Sequence, residues 1–338
     1  METQRLYLYH DREKSINKAA EILRSGGVVA IPTETVYGLA ASALDSSAIA
    51  AVFSAKGRPQ DNPLIVHIDS IEMLEKVAED IPEKAYVCAG KFWPGPLTMV
   101  LKSKGYVCRE VSAGLSTVAV RMPKDQTARD IITASALPLA APSANISGSP
   151  SPTSAQHVLN DLDGKIDGVV MGEDSDVGVE STVISVNEEG ARLLRPGAVT
   201  VEQLKEVFPD IVIDKAILSE PESDEKVASP GMKYKHYAPK TELYLVEASS
   251  GDFCRYVNEA NAAAVCFKED AKGLKGEVFI YGTENDPDSM AHRLFSILRE
   301  LDDKKVGKAY VHAPEKVGVG LAVYNRLIRA CAFKVVKL

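Results

Sequence analysis

The stretch Lys56–His67 reads KGRPQDNPLIVH. It opens with two cations, Lys56 and Arg58, and closes on a histidine, His67. Between them Pro59 and Pro63 bracket Gln60, Asp61 and Asn62. Proline fixes φ and restricts the residue before it, so neither proline continues a helix. The segment therefore reads as an ordered loop, entered from a helix and left through a buried strand at Leu64–Ile68. A basic loop of fixed shape at a strand edge can present charge to an anion. The same composition also suits a solvated turn, and the choice rests on the surrounding chain.

Upstream, Ile16, Ala19, Ala20 and Leu23 recur at helical spacing and predict a helix that stops at Gly26-Gly27. Val28–Ile31 is a short apolar strand leading into PTETVYGLA. Asp45 or Ser46 can cap the next helix, whose Ile49, Val52 and Phe53 share a face and which runs into the Lys56 loop. Downstream, Asp69 with Glu72 has capping-box spacing. WPGPLTMVLK reads as a turn and a strand, and STVAVRMP as a strand by its alternation. A helix is expected near Thr127–Ser135, then the strand and Ser/Pro loop of PLAAPSANISGSPSPT, then a helix capped by Thr153. GVVMG, ESTVISV and ARLLRPGAV supply further strands. Short strands and helices mixed in this order predict a twisted mixed α/β sheet, not a regularly doubly wound one.

Ala216–Glu225, AILSEPESDE, is acidic and carries a proline, the composition of a linker. SPGMKYKHYAP follows it. Beyond Thr241 the strands TELYLVEA, AAAVCFK, EVFIYG and KAYVHAP alternate with helices near Asp252–Ala260, Pro287–Leu301 and Leu321–Ala332. That alternation predicts a smaller, Rossmann-like parallel α/β unit. The expected division is a first unit over 1–210, a linker over 211–240 and a second unit over 241–338.

The 338 residues are 45% hydrophobic and 25% charged, an ordinary globular balance, with a net charge of −8 that favours no nucleic acid globally. Five cysteines form no CxxC pair, so neither a zinc site nor a disulfide framework is expected, in keeping with a reducing cytoplasm. The first residues are charged and lack the apolar core of a signal, and no apolar run is long enough to span a membrane.

Polar residues cluster directly after apolar strands, where ligand sites collect in such sheets. Thr33, Glu34, Thr35 and Tyr37 follow one strand; Thr33 and Thr35 either face a ligand or satisfy a turn. Arg121 ends another and needs an anion, which is either a substrate carboxylate or an internal Asp or Glu. Ser143 and Asn145, Ser181 and Thr182, and Arg195 hold equivalent places. Converging, they would make a pocket rich in donors, suited to a polyphosphate and a small carboxylate. There is no P-loop, HExxH or GxSxG. GVGLA at Gly318–Ala322 is half a dinucleotide fingerprint without its third glycine.

PTETVYGL, KGRPQDNPLIVH, WPGPLT, TVAVRMP, APSAN with SGSPSPT, GVESTV, LLRPG and SPGMKYKHYAP together resemble the motifs of the YrdC/YwlC family of L-threonylcarbamoyladenylate synthases. The resemblance spans Ser15 to Leu204, and the linker with its following unit resembles the two-domain Sua type. It implies a YrdC-like catalytic unit that joins L-threonine, bicarbonate and ATP into threonylcarbamoyl-AMP and pyrophosphate. The product would pass to a Kae/TsaD-type transferase that makes N6-threonylcarbamoyladenosine in tRNA, with any tRNA contact by this chain indirect. Carried over by residue, Thr35, His67, Arg121 and Ser181 resemble threonine ligands. Lys56, Arg58, Asn62, Thr117, Ser143, Ser151 and Arg195 resemble ATP ligands, Lys56 and Arg58 with a catalytic part. His236 or Tyr237 would approach the same nucleotide. Mg2+ is expected on the phosphates, with no protein ligand identifiable. Two other readings are weaker. RNA binding is opposed by the acidic charge and the lack of interleaved basic and aromatic residues. Carbamoyl transfer of the hydrogenase-maturation kind is opposed by the absence of cysteine pairs.

Overall fold

The computed structural model of the chain describes residues 2–219 and 237–338. Most of the first part forms one mixed sheet of eleven strands. Its spatial order is Gln4–Tyr7, Gly168–Met171, Val29–Ile31, Gly38–Ser42, Leu139–Ala140, Ile65–His67, Thr117–Arg121, Leu97–Lys102, Thr182–Asn187, Gly190–Arg195 and Val212–Ile213. Two central strands run parallel with His67 opposite Arg121, so both side chains leave the sheet at the same end. The fold is the expected twisted mixed α/β architecture.

Local chemistry accounts for most helix boundaries. Asp45 caps Ser46–Lys56 by accepting from Ser47 N at 2.8 Å and Ala48 N at 3.2 Å, and Gly57 ends it in the left-handed conformation at φ 60°. Lys56 is thus the last residue of a helix, and the proline-fixed loop begins where expected. Two caps differ from the sequence reading. Ser70, not Asp69, caps Ile71–Val77, because the Asp69 carboxylate is taken by the Ser70 hydroxyl at 2.9 Å. Ser154, not Thr153, caps Ala155–Leu162, since its oxygen reaches His157 N at 3.2 Å. The strand Gly38–Ser42, GLAAS, was not legible from propensity; antiparallel pairing to Val29–Ile31 and Leu139–Ala140 holds it.

Residues 242–337 form a second sheet, all parallel, ordered Val278–Gly282, Ala263–Phe267, Lys308–His312, Glu242–Glu247, Val335–Lys337. The helices Ser250–Ala260, Pro287–Asp303 and Gly318–Ala330 accompany it. This is the parallel α/β arrangement expected, with an additional edge strand at Val335–Lys337.

The two units are packed together. Val36 and Val179 of the first join the apolar core of the second. Arg299 meets Asp161 bidentately at 3.0 and 2.9 Å. Gly178, at φ +79°, lies so close to Ala291 and His292 that a side chain there would collide with their backbone. Ala216 and Ile217 depart from the expected linker. They sit in a buried 3-10 turn, and their carbonyls accept from Arg329 at 2.8 Å and Asn325 at 2.6 Å. Apolar burial at that turn outweighs the acidic composition that follows it.

Candidate active site

One cleft opens at the strand ends of the first sheet. It encloses about 620 Å³ of space, part of it open to solvent. Thr35, Arg58, His67, Arg121, Ser143, Glu180, Ser181, Arg195 and Tyr237 all line it. The strand-end residues of KGRPQDNPLIVH, TVAVRMP, GVESTV and LLRPG thus share one cavity.

At its base Arg121 is almost wholly buried. Nη1 donates to Thr35 Oγ1 at 2.8 Å and Nε to Gly95 O at 3.2 Å. Nη2 lies 2.7 Å from Glu34 Oε1, yet that contact is poorly directed and leaves both atoms without an aligned hydrogen bond. The internal carboxylate therefore exists. It neutralises Arg121 without using up its donor capacity, so the internal acid expected as one alternative is present, and Nη2 keeps donor capacity on the cleft. Burial pushes the Glu34 pKa up, but the close Arg121 charge, with a backbone hydrogen bond from the Lys124 region, outweighs it, and the net shift is downward. Thr33 takes the turn role: its hydroxyl donates to Val36 O at 2.6 Å and lies 2.9 Å from the Thr35 hydroxyl.

His67 sits beside Arg121. Burial, with a smaller contribution from the Arg121 charge, lowers its pKa to about 3, so the ring is neutral at physiological pH. Nδ1 faces Ile65 O at 3.3 Å. A carbonyl can only accept, so the proton belongs on Nδ1 and Nε2 keeps a lone pair.

In the same cleft Ser181 Oγ lies 2.7 Å from Thr98 Oγ1 and 3.1 Å from Arg195 Nη2, while Arg195 Nε donates to Ser181 O at 3.0 Å. Gly197 permits this approach, since a side chain there would strike Thr182 N and Glu180 O. Arg58 Nη2 donates to the carbonyls of Asn62 and Pro63 at 3.3 and 3.2 Å, bracing its own loop from within.

Four expected ligands do not line the cleft. Lys56 is buried, and its ammonium is held by the carbonyls of Ser143 and Asn145, the latter at 2.7 Å. Burial, with the nearby Arg58 charge, depresses its pKa well below that of an ordinary lysine. Its place is behind the Ser143 loop, which it pins to the helix end. Asn62 is buried in the Arg58 loop. Thr117 begins the strand that ends at Arg121, about 13 Å away along an extended chain. Ser151 is buried and donates to the Glu180 carboxylate. His236 lies outside the described residues. Tyr237 is described, and its ring meets Phe295 at 5.4 Å between centroids.

Glu180 and Arg326 were missed, and Glu34 was noted at its strand end without being assigned a role. The two carboxylates stood in view within PTETVYGL and GVESTV, and a buried acid after an apolar strand calls for a cation. Arg326 had one signal, a polar group set with Asn325 and Arg329 among the apolar residues of the helix run GVGLAVYNRLIRA. Among the described residues no group of three His, Cys, Asp or Glu side chains could hold a metal ion, and no helix is long and apolar enough to cross a membrane.

The Sua5/YciO/YrdC family, described as telomere recombination, matches residues 21–197, and the threonylcarbamoyl-AMP synthase C-terminal domain matches residues 199–332. The chain is 45% identical to the threonylcarbamoyl-AMP synthase of Pyrococcus abyssi, over 96% of each sequence. It is 42% identical to that of Bacillus subtilis over the full length of both. Among solved structures, Pyrococcus abyssi Sua5 complexed with L-threonine superposes with a TM-score of 0.90 at 41% identity, covering all of each chain.

Proposed function

This chain belongs to the Sua5/YciO/YrdC family, in the form that carries the threonylcarbamoyl-AMP synthase C-terminal domain, and from that premise we propose how its cleft works. It is an enzyme, a threonylcarbamoyl-AMP synthase of the tRNA-modification type. L-threonine, bicarbonate and ATP are its substrates, and threonylcarbamoyl-AMP and pyrophosphate its products.

The threonine amine adds to CO2 derived from bicarbonate, forming a C–N bond and losing a proton. A carbamate oxygen then attacks the α-phosphorus of ATP, a P–O bond forms, and the bond to the β-phosphate breaks to release pyrophosphate. No protein nucleophile is required, and catalysis consists of placing the carbamate in line and offsetting phosphate charge. Arg121 holds the threonine carboxylate, with Thr35 and Ser181 as hydroxyl partners. The neutral His67 accepts a donor at Nε2. Arg58, Arg195, Ser143 and Tyr237 take the nucleotide. Lys56, Asn62 and Ser151 act by fixing the loops that present those groups. Magnesium enters with ATP as part of the substrate. The product goes on, in the cytoplasm, to a Kae/TsaD-type transferase. The unit ending near residue 210 carries the chemistry, and Tyr237 contributes to the same cleft.

The observation that carries this reading is the meeting of Thr35, His67, Arg121, Ser181 and Arg195 on a single cleft. Incubation with all three substrates, each omitted in turn and the product followed by chromatography, tests it. Product is expected only in the complete mixture; product without threonine, or none at all, contradicts the assignment.

A further inference from the structure

Glu180 puts a carboxylate on the wall of a cleft read here as binding ATP. Negative charge beside a triphosphate opposes binding unless it is offset. The offset comes from the other unit. Arg326, fully buried in the helix Gly318–Ala330, donates from Nε to Glu180 Oε2 at 2.8 Å, from Nη2 to Glu180 O at 3.2 Å and from Nη1 to Pro196 O at 2.8 Å. Those three acceptors bracket Ser181 and the turn after Arg195, the two residues that bind one another across the cleft wall. The other charged or titratable groups bearing on Glu180 are Arg195, Lys56 and the phenol of Tyr237. Burial raises the Glu180 pKa, but the charges of Arg326 and Arg195, with hydrogen bonds from Ser151 and Arg326, bring the net shift down, so it remains a carboxylate.

We propose that Arg326 is a positioning residue for the nucleotide step. By engaging Glu180 it keeps that carboxylate from competing with phosphate for Arg195, so the second unit completes the cleft electrostatically. The proposal rests on the reading of the cleft given above. Asn325 and Arg329 tie the same helix to the carbonyls of Ile217 and Ala216, whereas Arg326 also meets the Glu180 carboxylate.

The test uses the full-length chain and steady-state kinetics for each substrate. Arg326→Met should raise KM for ATP at least about tenfold while leaving KM for threonine within about twofold. Adding Glu180→Gln to Arg326→Met should return most of the ATP affinity, because the uncompensated charge is then gone. Arg326→Gln keeps donors for the two carbonyls but not the charge, and should show the same ATP-specific loss. It also decides the matter if the methionine variant does not fold. Equal losses for both substrates, a normal KM for ATP in Arg326→Gln, or no recovery on adding Glu180→Gln would overturn the proposal. A wild-type chain that makes no product would instead overturn the functional reading. In that case affinity for a non-hydrolysable ATP analogue across the same variants still tests Arg326.

Discussion

Arg121 of the cleft finds its counter-ion, Glu34, on a loop of its own sheet. Glu180 of the same cleft finds its counter-ion, Arg326, on a helix of the other unit. Both are buried arginine–carboxylate pairs with one member on the cleft, yet the first is closed within one unit and the second is shared. The signs are also reversed. On the proposed reading, the threonine side presents a cation backed by an acid, and the nucleotide side presents an acid masked by a cation. The contrast suggests that amino-acid recognition is intrinsic to the eleven-stranded sheet, whereas tolerance of a triphosphate depends on how the second unit is docked.

The sharpest way to break this contrast is Arg121→Ala. Removing one member of a buried pair leaves Glu34 uncompensated and should destabilise the fold by about 3–5 kcal/mol. Arg121→Ala with Glu34→Gln should recover that stability, measured by denaturant unfolding, without recovering use of threonine. Recovery of both would reduce Arg121 to a structural ion pair. Next in size, Arg58→Ala should raise KM for ATP at least about tenfold through loss of a phosphate-facing cation. Normal ATP affinity with normal pyrophosphate release would remove Arg58 from the nucleotide site.

Ser181, proposed as a threonine partner, also meets Arg195, proposed for the nucleotide. Ser181→Ala should therefore weaken both substrates together, by about fivefold each for the loss of a hydrogen bond worth about 1 kcal/mol. A loss confined to one substrate would assign Ser181 to that substrate. The smallest effect near neutral pH concerns His67. Its folded pKa of about 3 lies below its ordinary value of 6.5, so between those limits the unfolded chain binds the extra proton. Stability from this group is complete above pH 6.5 and declines as pH falls toward 3, with a slope approaching about 1.4 kcal/mol per pH unit. His67→Gln should flatten that acid-side slope in unfolding experiments at several pH values. An unchanged slope would mean the ring is solvated in the folded protein.

Much of this was legible in the chain itself. Prolines at 59 and 63 located the loop, and apolar runs ending in Arg121, Ser181 and Arg195 located the strand ends. Strand-end polarity is a local signal, so it survives without the fold. What it cannot carry is the direction in which a long side chain turns. Lys56 stands next to Arg58 in sequence, but a helix end sends it behind the Ser143 loop and not into the cleft. Thr117 shares a strand with Arg121, but lies at its far end. Arg326 is 146 residues from Glu180, and no local pattern joins them. Gly38–Ser42 is a strand because its neighbours pair with it, which composition alone does not reveal.

On the proposed reading threonine and nucleotide share one cleft, threonine held by Arg121 and the nucleotide by Arg58 with Arg195. The most direct test is calorimetric titration of L-threonine and of a non-hydrolysable ATP analogue, separately, into the wild-type chain, Arg58→Ala and the stability-matched Arg121→Ala/Glu34→Gln variant. A crossed result is expected: threonine affinity lost only in the Arg121 variant, and analogue affinity lost only in the Arg58 variant. Parallel losses of both ligands in both variants would contradict it.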